Sequence, residues 1–372
     1  MEPSHRTCAY IHLDRLARNI ERIKQHLAGH AEIVGVIKGD ACGHGAIGVY
    51  PTLQKCGIKR FAVGFWPEGA ALREAGLKDP IHILSDTSDE ELDQLVAYDL
   101  MPSVSSVDFA QKLNQAAARA GKIQPIILAF NTGMNRYGFP ADDSALPDIR
   151  QIAAMEHLAI DGAFTHYPRA DEADGQVTQA QLAKYLDVVD KLEAEGIAIP
   201  FKQTANSASI LLHPDTHLDG VRAGDILYGM NPADEEVWAG KGYEEIITWE
   251  TYVAMVKTVP AGSEIGYSGT FRTERETRVA TIPVGFCDGY SRKFSNGGMV
   301  KIRGKLCPII GLICMDGFMV DVTEVEDVQR GDKVLLLGEE LSMAWMAEQL
   351  SVSLDEVVCG ITARVPRIYV EA

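Results

Sequence analysis

The chain has 372 residues, 46% of them hydrophobic and 23% charged, with a formal net charge of −17. That length exceeds one typical core and points to two domains, with the composition of an ordinary soluble globular protein. The acidic balance argues against nucleic-acid and anionic-membrane partners, and no stretch is long and apolar enough to cross a bilayer as a helix.

The N-terminal run Met1-Glu2-Pro3-Ser4-His5-Arg6 carries no apolar signal core and leads directly into a strand over residues 8–13 and a helix. The seven cysteines (Cys8, Cys42, Cys56, Cys287, Cys307, Cys314, Cys359) are odd in number, scattered and never spaced Cys-x-x-Cys. They read as reduced thiols of a cytoplasmic protein, with neither a disulfide framework nor a metal site.

From residue 33 to about 228, short apolar runs alternate with amphipathic stretches. Strand-like pieces fall at 33–37, 61–63, 81–84, 101–104, 126–130, 158–164, 201–205 and 218–222. Helical patterns lie between them at 68–75, 89–97, 107–120 and 176–195. Eight strand-then-helix units, with strands apolar on both faces, predict a closed parallel (β/α)8 barrel of the TIM type. In such barrels chemistry collects at the carboxyl ends of the strands. Lys38, residues 131–136, His166, Asn206, Ser207 and Arg222 all fall there.

Lys38 closes the run Glu32-Ile33-Val34-Gly35-Val36-Ile37 and precedes Gly39-Asp40-Ala41-Cys42-Gly43-His44-Gly45. An amine at the end of a buried strand, facing a glycine-containing loop, suits a Schiff-base lysine, because burial would favour the nucleophilic neutral form. Taken alone, the commoner arrangement is a lysine reaching into water.

After Gly229-Met230-Asn231-Pro232 the pattern changes to Val-, Ile- and Thr-rich runs with glycine and proline punctuation, at 253–259, 278–283, 299–302, 308–313, 319–322 and 333–337. Helical signal is confined to 343–349 and 353–358. This predicts a mostly antiparallel β domain. The expected division is a barrel over 12–238 and a β domain over 239–372, with residues 1–11 and the first strand that starts there compatible with either.

Several segments, in order and along essentially the whole chain, carry a signature. They are Ile37-Lys38 through Gly45, Asn131-Thr132-Gly133-Met134-Asn135-Arg136-Tyr137-Gly138, Phe164-Thr165-His166, Ala205-Asn206-Ser207-Ala208 and Arg222 through Gly229. In the β domain they are Gly266-Tyr267-Ser268-Gly269-Thr270, Gly285 through Arg292, Cys314-Met315-Asp316 and Arg364-Val365-Pro366-Arg367. The set resembles the bacterial alanine racemases, a family that folds as a pyridoxal 5′-phosphate (PLP)-binding (β/α)8 barrel plus a β domain.

The resemblance implies roles residue by residue. Lys38 matches the residue that holds PLP and serves as one of two acid/bases at the substrate Cα. Tyr267 matches the other, since racemisation needs a proton carrier on each face of a planar carbon. A phenol ordinarily titrates near pH ~10, so that role calls for positive charge or hydrogen bonds beside it. Arg222 matches the partner of the pyridine nitrogen, which it contacts without protonating. His166 matches a group contacting Arg222, although a satisfied core histidine fits as well. Ser207, with the backbone of Gly224 and Asp225, matches the phosphate cradle, and Asn206 lies beside it as cofactor contact or turn residue. Arg136 and the Met315 backbone match contacts to the substrate carboxylate, with Asp316 in support. The family implies a homodimer with shared sites, because Tyr267 and Met315 reach the partner subunit's Lys38 site.

Departures from the family pattern cluster at the pocket. Cys42 and Ala363 stand where tyrosines are usual, Ala129 where a carbamylated lysine is common, Asn131 for an aspartate, Phe286 for a tyrosine and Leu312 for an arginine. The expectation is PLP-dependent racemisation of a small amino acid, L-alanine to D-alanine by default, with serine or a larger side chain as the alternative. The rival readings are an amino-acid decarboxylase on the same barrel and a non-catalytic PLP-binding protein.

Overall fold

A computed structural model describes residues 6–371. The expectation of no signal core rests on residues 1–6, of which 1–5 lie outside the described residues. The strands, in chain order, are β1 (Thr7–His12), β2 (Glu32–Val36), β3 (Arg60–Val63), β4 (Ile81–Ile83), β5 (Met101–Val104), β6 (Gln124–Asn131), β7 (Phe139–Pro140), β8 (Leu158–Phe164), β9 (Lys202–Gln203) and β10 (Gly220–Ala223). The series continues with β11 (Ile247–Tyr252), β12 (Met255–Val259), β13 (Glu264–Ile265), β14 (Phe271–Arg272), β15 (Thr277–Ile282), β16 (Met299–Ile302), β17 (Lys305–Ile310), β18 (Phe318–Asp321), β19 (Lys333–Leu337) and β20 (Arg367–Val370).

The chain divides into two compact units. One comprises residues 17–41 and 46–243. Its strands run parallel in the order β5-β4-β3-β2-β10-β9-β8-β6, and β5 pairs with β6, which closes an eight-stranded barrel. The expected fold is therefore present. Its strands are buried because helices cover the outer face and side chains fill the interior. Val34, Val36, Ala62 and Phe201 form one interior cluster, and Met101, Ile127, Ala129 and Phe164 another.

Leu13–His26 is the helix expected after the first strand, while Ala46–Lys55, Leu146–Ala153 and Ser207–Leu212 lie outside the spans named from the sequence. Ala46–Lys55 contains Pro51, which ordinarily signals a helix boundary. The expected strand at 201–205 is a ladder of only Lys202–Gln203, since Thr204 and Ala205 already turn into the helix that follows.

The other unit gathers the described residues up to Leu16, the short loop Cys42–Gly45 and the chain from Glu244 onward. Its large sheet has the order β12-β15-β18-β17-β16-β19-β11-β1-β20. All recorded pairings are antiparallel except β1 with β20. β11 alternates buried and half-exposed residues along Ile-Thr-Trp-Glu-Thr-Tyr, the pattern of a sheet with one face packed. That packed face carries an aromatic core. Trp249 meets Tyr290 edge-on at 5.7 Å, and Tyr290 stacks on Phe318 at 5.1 Å. Burying each such ring contributes roughly 2–3 kcal/mol. Asp288, fully buried, accepts a two-pronged bond from Arg6 (2.5 and 3.0 Å) and a third from the Gly285 amide at 2.9 Å. A buried carboxylate tolerates desolvation only with such partners.

Candidate active site

Lys38 follows the carboxyl end of β2, and the chain then enters a left-handed turn. Gly39, Asp40 and Ala41 have φ of 61°, 53° and 56°, and Cys42 continues at 50°. The three non-glycine residues each carry roughly 1–2 kcal/mol of backbone cost. Such strain persists where surrounding bonds over-determine it, and it concentrates at functional sites. Lys38 itself is exposed, the commoner of the two arrangements open in the sequence. The strand is buried but ends at Val36, and the turn carries the side chain to the barrel mouth.

Arg222, on β10, is 4% exposed. One terminal nitrogen donates to Gln203 O at 2.7 Å, and the other to Thr165 O at 2.7 Å and Thr204 O at 3.1 Å. These carbonyls lie at the ends of β8 and β9. The guanidinium also lies over the Phe164 ring, 5.3 Å from its centroid. Among the described residues no carboxylate forms an ion pair with it. Burial pushes Arg222 down to about 10, still well above neutral pH, so the carbonyls and the ring hold a cation.

His166 Nδ1 lies 3.3 Å from an Arg222 nitrogen. Guanidinium can only donate, so Nδ1 accepts and the ring hydrogen is assigned to Nε2. Burial, then the positive charges of Arg222, Arg136 and Lys38, lower His166 to about 3. The same interactions place Lys38, Arg136, His166 and Arg222 in one electrostatic neighbourhood. His166 is neutral there at any ordinary pH.

Arg136 is exposed, with its guanidinium 5.3 Å from the centroid of the Tyr137 ring. Asn131 shapes the loop that carries it: its side-chain oxygen accepts from the amides of Gly133 (3.1 Å) and Asn135 (3.0 Å). Ala129 is buried against Tyr137 and Phe164. Beside it lies a cavity of about 20 Å³ bordered by Arg136, Tyr137 and His166, room for roughly one water molecule.

Asn206 caps helix Ser207–Leu212: its oxygen accepts from the Ser209 amide (3.1 Å) and hydroxyl (2.9 Å), while its nitrogen donates to Tyr167 O (3.1 Å). Of the two roles open in the sequence, its side chain visibly performs the turn-shaping one. Ser207 Oγ accepts from the Gly224 amide at 3.2 Å. A side chain at 224 would begin 3.8 Å from that hydroxyl, so glycine keeps the surface open. Asp225 follows at the start of a short 3-10 turn.

In the other unit, Tyr267 is 68% and Met315 55% exposed. Tyr267 stands between two left-handed residues, Gly266 (φ 73°) and Ser268 (φ 61°). A Cβ at Gly285 would lie 2.3–2.4 Å from the backbone of Cys314 and Met315, so only glycine lets the two segments meet. Phe286 and Cys287 amides then donate to Cys314 O and Met315 O, each at 3.1 Å. Asp316 accepts from Arg364 at 2.7 Å. Ala363 is exposed, Phe286 39% exposed and Leu312 half-buried.

Sequence reasoning missed the supports beneath Arg222. Phe164 meets His82 edge-on at 4.9 Å and Tyr137 at 6.4 Å. His82 Nε2 lies 2.9 Å from Ser103 Oγ, whose hydroxyl donates to Ile83 O at 2.7 Å. The signal was a histidine between two isoleucines in β4, a polar misfit in a buried strand.

The chain matches the family model for the alanine racemase N-terminal domain over residues 11–232 and that for the C-terminal domain over 246–369. The alanine racemase of Clostridium tetani is 37% identical to it, covering 97% of this chain and 95% of that one. The alanine racemase of Halothermothrix orenii is 39% identical, covering 98% and 96%. Among solved structures, Clostridium difficile 630 alanine racemase superposes with a TM-score of 0.96 at 35% identity, covering 100% of this chain and 97% of that one. The Bartonella henselae alanine racemase with covalently bound pyridoxal phosphate superposes with a TM-score of 0.86 at 27% identity, covering 98% and 99%. The barrel, the sheet unit and these matches along both agree: the chain belongs to the alanine racemase family and is a PLP-dependent racemase.

Proposed function

We propose that this protein interconverts L- and D-alanine, with serine or a larger side chain as a second substrate class, and works as a cytoplasmic homodimer. Lys38, Ser207, Gly224, Asp225 and Arg222 would hold PLP, with His166 and Asn206 in support. The observation that carries the reading is Arg222, a buried cation fixed by three strand-end carbonyls with no carboxylate partner among the described residues. Its donor set fits a ring nitrogen that must be hydrogen-bonded yet left unprotonated. PLP, when bound, supplies the electron sink that acidifies the substrate Cα.

The remaining work falls to the chain. Lys38 Nζ carries the proton on one face of Cα and Tyr267 Oη of the partner subunit on the other. Positioned groups of this kind each contribute roughly 10²–10⁴ in rate. Arg136 and the Met315 amide hold the substrate carboxylate. Exposure of Tyr267 and Met315 on the sheet unit supports a site that a second copy completes.

A decarboxylase reading is disfavoured by an arginine, rather than a carboxylate, at the ring-nitrogen position. Ala363, exposed where the family carries a tyrosine ring, supports the wider substrate range. The test is a chiral assay of PLP-loaded protein against a panel of L-amino acids, with deuterium exchange at Cα. Racemic product from alanine is expected, and serine turnover within roughly tenfold of it would establish the wider pocket. Loss of carbon dioxide without racemisation would contradict the reading.

A further inference from the structure

We infer that Glu68 is a positioning residue for Lys38: its carboxylate ties the left-handed turn that begins at Gly39 to the end of β3. The inference rests on the reading of Lys38 as the cofactor-holding lysine. Glu68 stands at the third position of helix Trp66–Glu74, where a glutamate ordinarily closes back on the amide at the helix start. That bond is present, from Phe65 N to Oε2, but at 3.4 Å it is the longest the carboxylate accepts. The two short bonds go elsewhere. Gly64 N donates to Oε2 at 2.7 Å, and Gly39 N, 29 positions earlier than Glu68, donates to Oε1 at 2.6 Å. Bonds of that length to an ionised acceptor are the strong ones, whereas 3.4 Å is marginal. The distances rank the turn above the helix cap.

The turn needs an anchor at that point. Four successive residues, Gly39, Asp40, Ala41 and Cys42, are left-handed, a backbone that holds only where its surroundings over-determine it. Two other ties act further along: Ala41 N donates to Ile37 O at 2.9 Å, and Asp40 Oδ1 accepts from Ala46 N at 2.7 Å. The Glu68 bond acts on the peptide directly after Lys38. A Cβ placed at Gly64 would lie 3.8 Å from Lys38 Cβ, so Glu68 fastens the two backbone segments that flank the lysine's stem. A displaced stem moves Nζ at the end of a long lever, and misplacement of about 1 Å costs up to roughly 100-fold in rate.

The test compares the wild type with Glu68→Ala and Glu68→Gln. Amide hydrogen exchange at Gly39 should be slow in the wild-type protein, and fast exchange there overturns the inference without any substitution. Glu68→Ala should lower kcat and PLP affinity, read by absorbance titration, by roughly 10- to 100-fold, while KM moves less than about threefold. Glutamine serves a capping box as well as glutamate does, but it offers one oxygen for two short bonds. Glu68→Gln should therefore recover Tm yet recover kcat and PLP affinity only in part. Full recovery of all three would make Glu68 a helix cap and nothing more. Values within about twofold of wild type in Glu68→Ala would also refute the inference. Lys38→Ala is the control: if borohydride still fixes PLP to that variant, the reading of Lys38 fails, while the Gly39 exchange result still decides whether the brace exists.

Discussion

Arg222 in the barrel and Tyr267 in the sheet unit are held in opposite ways. In the barrel, Arg222 is buried and bonded to three carbonyls, and it rests on a ring that is itself packed by His82 and Tyr137. In the sheet unit, Tyr267 and Met315 stand exposed, placed by backbone turns that depend on Gly266 and Gly285. A group that must stay charged away from water needs satisfied neighbours, and those neighbours are also the fold. A group offered at a surface needs only a rigid backbone. The difference implies that substitution at Arg222 disturbs stability and chemistry together, whereas substitution at Tyr267 disturbs chemistry alone.

The largest stability effect expected from this contrast is at Arg222. Arg222→Lys keeps the charge but loses the planar fork, leaving some of Gln203 O, Thr165 O and Thr204 O unmatched. A loss of about 2–4 kcal/mol is expected, with Tm lower by roughly 5–10 °C. Tyr267→Phe removes only a hydroxyl from a side chain that the subunit's own core does not bury, and should stay within about 0.5 kcal/mol of wild type. Equal Tm values for the two variants would break the comparison.

How much of this was legible in the sequence follows from where the partners lie. Lys38 stood out because an apolar strand ends beside it, and β11 did not, because Ile-Thr-Trp-Glu-Thr-Tyr is half polar and becomes a strand by pairing with β1 and β19. Arg222 and His166 came from motif resemblance, but the carbonyl cage around Arg222 joins β8, β9 and β10, and no local pattern announces it. Glu68 reads as an ordinary residue of an amphipathic helix until Gly39 is seen to donate to it. Whether Lys38 is buried or exposed stayed open in the sequence, because burial of a strand does not extend to the residue after its end.

A smaller, pH-dependent effect sharpens the barrel half. Burial, then the charges of Arg222 and Arg60, lower His82 to about 3, against about 6.5 for a free histidine. Below pH ~6.5 the unfolded chain takes up a proton that the folded barrel refuses, so stability is highest above that value and declines as pH falls toward 3. Between pH 7 and 5 this group alone should cost about 2 kcal/mol. Denaturant unfolding of His82→Asn should show an acid loss smaller by that amount. An identical acid slope in both proteins would mean that His82 accepts its proton while folded.

The central claim is that a complete site takes Lys38 from one subunit and Tyr267 from another. Lys38→Ala and Tyr267→Phe proteins should each be nearly inactive as racemases when pure. Mixed under conditions that exchange subunits, they form hybrid dimers in which one of the two sites keeps both native groups. The account predicts that activity returns, approaching about a quarter of the wild-type value at equal mixing, since random pairing makes half the dimers hybrids and each hybrid has one intact site out of two. No recovery despite demonstrated exchange would show that each site is built within a single chain and would contradict the account.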